Sequence, residues 1–269
     1  MARGHFAMKT SRRAATWALL SLLALASMGP PAPALAPSAL GEPPVSGTPA
    51  APVRQSADAR LLAALRSKVP IEPIEVKEDP YQIWRAREPP RAPAGTVCGV
   101  RFERDLVHYR LATFATEVQA RTAGFAVTHV GACGTCSTLQ DLAVYLEKPD
   151  LTAPVRACGM KSGASASLAC LKDLGFSAAC ARTWLYDVEN TRRHCLGVCM
   201  SSWIRGEAST GKDGRLNACL QCDEDHSGPV FKASAGRTRR NSGIRSSIPR
   251  PNEEVAPVVH DYVPGAALP

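Results

Sequence analysis

Residues 177–200 read SAACARTWLYDVENTRRHCLGVCM. Along this stretch Cys180, Trp184, Val188, Thr191, Cys195 and Cys199 follow one another at intervals of four, four, three, four and four. Such intervals bring side chains to one side of an α-helix. The stretch therefore predicts a single long helix with three cysteines and a tryptophan on one face. Cysteines on successive turns point the same way, whereas a disulfide needs converging Cβ vectors. Cys195 and Cys199 should each pair elsewhere, with Cys180 joining them, so that the helix is stapled to neighbouring segments.

Further helices are expected on either side. Residues 165–174 form one, stopped by Gly175. In 137–147 (STLQDLAVYLE) Leu139, Leu142, Ala143 and Leu146 share a face; Ser137 or Thr138 can cap the first turn, and Pro149 closes it. Residues 125–130 (FAVTHV) are short, β-branched and aromatic, as a buried strand is. Residues 104–116 suit two states, because Leu106, Tyr109 and Phe114 share a broad helical face while 109–114 also reads as a strand. Downstream, 217–222 reads as a short helical turn, 229–240 as a helix with Gly243 as its stop, and the tail after Pro249 as irregular.

The fold class expected is mainly α with a few short strands (α+β): a disulfide-stapled helical domain over 97–269. Ahead of it, 37–96 reads as a disordered Pro/Ala-rich arm or linker. One short helix is possible within it at 57–69 (ADARLLAALRSKV), where Leu61, Leu62 and Leu65 have helical spacing.

Residues 1–36 have the order of a secretory signal peptide. Arg3, Lys9, Arg12 and Arg13 precede an apolar run over 14–28, and Ala34-Leu35-Ala36 fits a cleavage site. The run is shorter than the roughly 20 residues of a spanning helix, and no later segment is apolar enough to span a bilayer. The composition of 37–60 also suits plastid-type routing behind the signal. The whole chain carries +8, and loss of the four basic residues of 1–36 leaves +4. That modest charge is an ordinary solubility feature and weak evidence for a nucleic-acid partner, so none is predicted. Oligomeric state is not legible.

All ten cysteines lie after residue 97, an even number behind a secretion signal, so disulfides are the default. Cys98, Cys158, Cys170, Cys180, Cys195, Cys199, Cys219 and Cys222 are read as structural. Residues 131–137 (GACGTCS) set Cys133 and Cys136 between an expected strand and an expected helix. At that junction free N–H groups and the helix dipole stabilise a thiolate. Over about a dozen residues this local pattern resembles the redox motif of thioredoxin-like proteins. Ala132 stands where such motifs carry tryptophan, and further cysteines replace the expected cis-proline loop, so the family is not assigned. The resemblance implies Cys133 as attacking thiol and Cys136 as resolving thiol.

Cys133 and Cys136 together with Cys219 and Cys222 have the ligand types of a zinc or iron–sulfur site, although 83 residues separate the two pairs. No cofactor is predicted outright. His129 and His194 are candidates to activate a thiol or ligate a metal, as is the acidic turn Asp223, Glu224, Asp225 and His226. Arg237, Arg239 and Arg240 in GRTRRNSG suit an anionic ligand or surface. On a helix Arg237 and Arg240 would share a face.

No phosphate loop, dinucleotide fingerprint, nucleophile elbow or N-glycosylation sequon is present. Three functions follow, in this order: a secreted or lumenal disulfide-rich binding or structural domain; a lumenal thiol–disulfide oxidoreductase using Cys133 and Cys136; a metal-binding protein or metalloenzyme.

Overall fold

The sheet is organised by β2 (Val97–Phe102), which alternation does not announce because Val97, Cys98, Gly99 and Val100 are all buried. A central strand covered on both faces loses the period-two signal. In the computed structural model, residues 58–248 and 254–265 are described, all within the unit Val53–Pro269. The expected signal peptide and the first part of the arm lie outside the described residues.

The sheet order is β1-β3-β2-β4. β3 (His108–Phe114) and β4 (Ala126–Val130) flank β2 antiparallel, and β1 (Val69–Pro70) adds to β3 in parallel. The ambiguous 104–116 segment is thus a strand, and its Tyr109 is fully buried.

The folded domain begins ahead of Val97, earlier than the sequence suggests. α1 (Ala59–Arg66) buries Leu65 in a cluster with Val100, Tyr109, Leu139 and Leu142, and α2 (Pro80–Ile83) buries Tyr81. Asp58 and Asp79 cap these two helices through Arg60 N–H and Tyr81 N–H, each at 2.9 Å. The prolines of this arm start and end elements instead of preventing them: Pro80 stands at the first helical position, where a missing N–H costs nothing.

α3 (Glu117–Thr122) packs beside β4. α4 (Leu139–Glu147) is capped by Thr138, whose Oγ accepts from Asp141 N–H at 3.1 Å. It contributes to two of the three core clusters among the described residues. Leu139, Leu142 and Ala143 join Leu65, Val100, Tyr109 and Val263; Val144 and Tyr145 join Leu171, Phe176, Cys180, Leu185 and Phe231. Then come α5 (Thr152–Gly159), which the sequence pattern does not mark, and α6 (Ala164–Asp173).

α7 (Ala178–Ile204) is the long helix expected at 177–200, capped by Ser177. α8 (Ala218–His226) follows and takes in the acidic turn. α9 (Gly228–Ala235) is shorter than expected. Gly236, at φ 71°, ends it, so Arg237–Arg240 lie beyond it and share no helical face. The segment 254–265 returns to the sheet and buries Val263.

Five disulfides close the structure: Cys98–Cys133, Cys136–Cys180, Cys158–Cys170, Cys195–Cys222 and Cys199–Cys219. All three cysteines of α7 pair with other segments, so the helix is stapled to the α4 entry once and to α8 twice. Among the described residues no helix is long and apolar enough to cross a membrane.

Candidate functional site

Cys133 and Cys136 are not bonded to each other. Cys133 closes onto β2 and Cys136 onto α7. A thiol pair acting across one turn would require two separate bridges to open. The motif performs a packing task instead. Thr135 N–H and Cys136 N–H donate to the Ser234 and Ala235 carbonyls at 2.9 Å each. A Cβ on Gly134 would stand 2.5 Å from Ser234 O and 2.6 Å from Gly236 N, so only glycine lets the end of α9 lie on this loop.

His129 lies in the same region, fully buried, and with all ten cysteines in disulfides it has no thiol to activate. Its Nε2 meets Ser137 Oγ at 2.8 Å and its Nδ1 meets Val130 O at 3.0 Å. Burial, reinforced by the Arg237 charge, holds it well below the ordinary histidine range.

Arg237 is the largest fully buried side chain. Its guanidinium donates to the carbonyls of Cys136, Thr128 and Ser137 and to Ser242 Oγ at 3.1 Å each, and to Thr128 Oγ1 at 2.6 Å. All five donors are used, which corrects the expectation of an anion-binding group. The planar fork ties β4, the α4 entry and the 3-10 turn Arg240–Ser242 into one unit. Arg239 also turns inward, donating to the Tyr145 and Lys148 carbonyls, and Arg240 donates to Glu254 O at 2.8 Å.

The four cysteines proposed as thiolate ligands stand in four different disulfides, so they do not assemble into one site. Among the described residues no group of three or more His, Cys, Asp or Glu is placed to hold a metal ion. His194 and His226 stack as parallel rings, 5.0 Å between centroids. Their in-plane lone pairs run side by side and do not converge on one point.

A cleft of about 570 Å³ lies elsewhere, bounded by α5, α7, α8, α9 and the segment 238–248. Val155, Trp184, Val188, Leu220, Phe231 and Ile248 line its depth. Trp184 packs on Phe231 at 4.3 Å and on Phe176 at 6.0 Å. At the mouth α7 leaves Leu196, Met200 and Trp203 exposed at helical spacing, opposite Met160. The Cys199–Cys219 bridge lines the wall, and Cys195–Cys222 ties the same two helices. The cleft therefore has crosslinked walls.

A polar network forms its floor. The Tyr81 hydroxyl donates to Asp187 Oδ1 at 2.7 Å and lies 3.1 Å from Ser227 O. Asn190 donates to His226 O and Ser227 Oγ at 3.1 Å each, and Thr191 donates to Asp223. Asp187 lines the cleft yet is only 7% exposed. Burial, with the Asp223 and Glu224 charges adding to it, holds its carboxyl well above the usual range. Glu224 pairs with Lys232 at 2.8 Å. Tyr145 Oη and Trp184 Nε1, buried on the same wall, complete no hydrogen bond of good geometry.

Sequence reasoning found Trp184, Thr191 and the acidic turn but not the cleft. Its signal was the apolar continuation Leu196, Met200 and Trp203 past the cysteine stripe.

A family model described as "Family of unknown function (DUF8771)" matches residues 164–258, which include α6 to α9 and most of the cleft lining. No curated protein and no solved structure matches the chain.

Proposed function

We propose that this chain is a secreted or lumenal binding domain whose disulfides hold open an apolar cleft between α5, α7, α8 and α9. Five bridges accord with an oxidising compartment, and the signal-like order of 1–36 supports entry into the secretory pathway. The observation that carries the reading is the cleft itself. Its volume, its aromatic and aliphatic walls and its few convergent polar groups are those of sites for small, largely apolar ligands. A rigid frame around such a site reduces the ordering cost of binding.

The test uses Nile red, a neutral apolar dye that brightens when it leaves water. The disulfide-intact protein should bind it saturably at one site. Leu196→Glu with Met200→Glu, both at the exposed mouth, should weaken binding at least tenfold while leaving the melting temperature within a few degrees. Binding without saturation, or unaffected by these changes, would refute the cleft as a site.

A further inference from the structure

The floor of the cleft carries a buried carboxyl, Asp187, with Asp223 and Glu224 as acidic neighbours. Asp187 accepts one hydrogen bond, on Oδ1 from Tyr81, and its second carboxylate oxygen has no hydrogen-bond partner among the described residues. Asp223 and Glu224 stand near enough to repel it. Five cations line the cleft, Arg156, Arg192, Lys232, Arg239 and Arg240; Lys232 is committed to Glu224. Arg192 donates to Gly159 O and Arg239 to Tyr145 and Lys148. None of these contacts reaches Asp187.

Such a carboxyl stays neutral by holding a proton, or becomes charged when a cation is brought in beside it. Trp184 lies one turn before Asp187 on α7 and also lines the cleft, with Phe231 packed on it. Such aromatic faces favour a positive charge as well as hydrocarbon.

We propose that the ligand of this cleft is an amphiphilic amine, with an apolar body along Val155, Val188, Leu220 and Ile248 and a protonated nitrogen seated on Asp187. The proposal rests on the cleft being a binding site. No covalent step is involved. The nitrogen donates to the Asp187 oxygen that Tyr81 leaves unpaired, while the body replaces water against the walls.

Three probes of equal chain length, each kept below its aggregation threshold, separate the outcomes: dodecylammonium, dodecanol and dodecanoate, followed by quenching of tryptophan fluorescence. Dodecylammonium should bind the wild-type protein at least tenfold more tightly than either of the others. Asp187→Asn, which still accepts from Tyr81, should remove that preference and leave dodecanol binding unchanged. The wild-type ranking does not depend on how the variant folds. If dodecanol or dodecanoate binds as tightly as dodecylammonium, the amine assignment is overturned while the cleft stands. If none of the three binds, both fall.

Discussion

Arg237 shows how far a single side chain can depart from its sequence context. In GRTRRNSG it looks like one cation of a basic run, but the chain turns at Gly236 and drives it into the core. Its partners are neutral oxygens, three of them backbone carbonyls. Arg237→Met would take a donor from five interior acceptors, of which Thr128 Oγ1 keeps the Tyr262 hydroxyl, and should cost at least about 3 kcal/mol in urea unfolding. Arg237→Lys, which lacks the planar fork, should lose most of the same stability.

The buried charge also sets the titration of its neighbours. His260 places Nε2 2.9 Å from Ser242 O and Nδ1 3.0 Å from Tyr262 Oη. Burial, with Arg237 adding to it, brings its pKa down to about 4, while Asp261 opposes. The folded state therefore prefers neutral His260. The stability this provides is complete above pH 6.5 and is lost as pH falls toward 4, by about 3 kcal/mol at that point. Asp141 acts in the other direction, its pKa raised to about 6 by burial. The clean measurement is thus a difference: the stability gap between wild type and His260→Gln should narrow steadily from pH 7 to pH 4. A gap independent of pH would show that His260 does not titrate with folding.

At the scale of elements, α7 was legible because one stripe of residues encodes both its helicity and its attachment. Cys180, Cys195 and Cys199 on one side could not bridge each other, and they do not. β2 was not legible, since a strand buried on both faces carries no alternation. Gly134 carries no signal in the sequence because backbone contact between distant segments leaves no mark in composition. Its role yields a sharp expectation. Gly134→Ala forces a methyl group against the end of α9 and should destabilise the domain by several kcal/mol, with all ten cysteines still able to pair. The α7–α8 staples make a second. Replacing Cys195 and Cys222 by alanine removes a bridge spanning 27 residues and should cost about 3 kcal/mol. Hydrogen exchange should then rise in α8, beside the cleft, and remain low in β2 and β3.

Over the whole molecule, the bridges divide into those that frame the surface and one that lies at the centre. Cys136–Cys180 joins the α4 entry to the first turn of α7, and both cysteines are fully buried. In every other bridge at least one cysteine is reached by solvent: Cys133, Cys170, Cys199 and Cys222 are all half-buried, and Cys219 sits at the cleft wall. Thiol–disulfide exchange needs an attacking thiolate to reach a sulfur, so access orders the reactions. Graded reduction of the native protein, with alkylation and peptide mapping, should open Cys136–Cys180 last and only together with loss of the near-ultraviolet circular dichroism signal. The same map should never recover a Cys133–Cys136 peptide. Early and selective opening at Cys136 would instead return the motif to redox chemistry, because a bridge serving only to hold the core has no route by which a reductant could find it first.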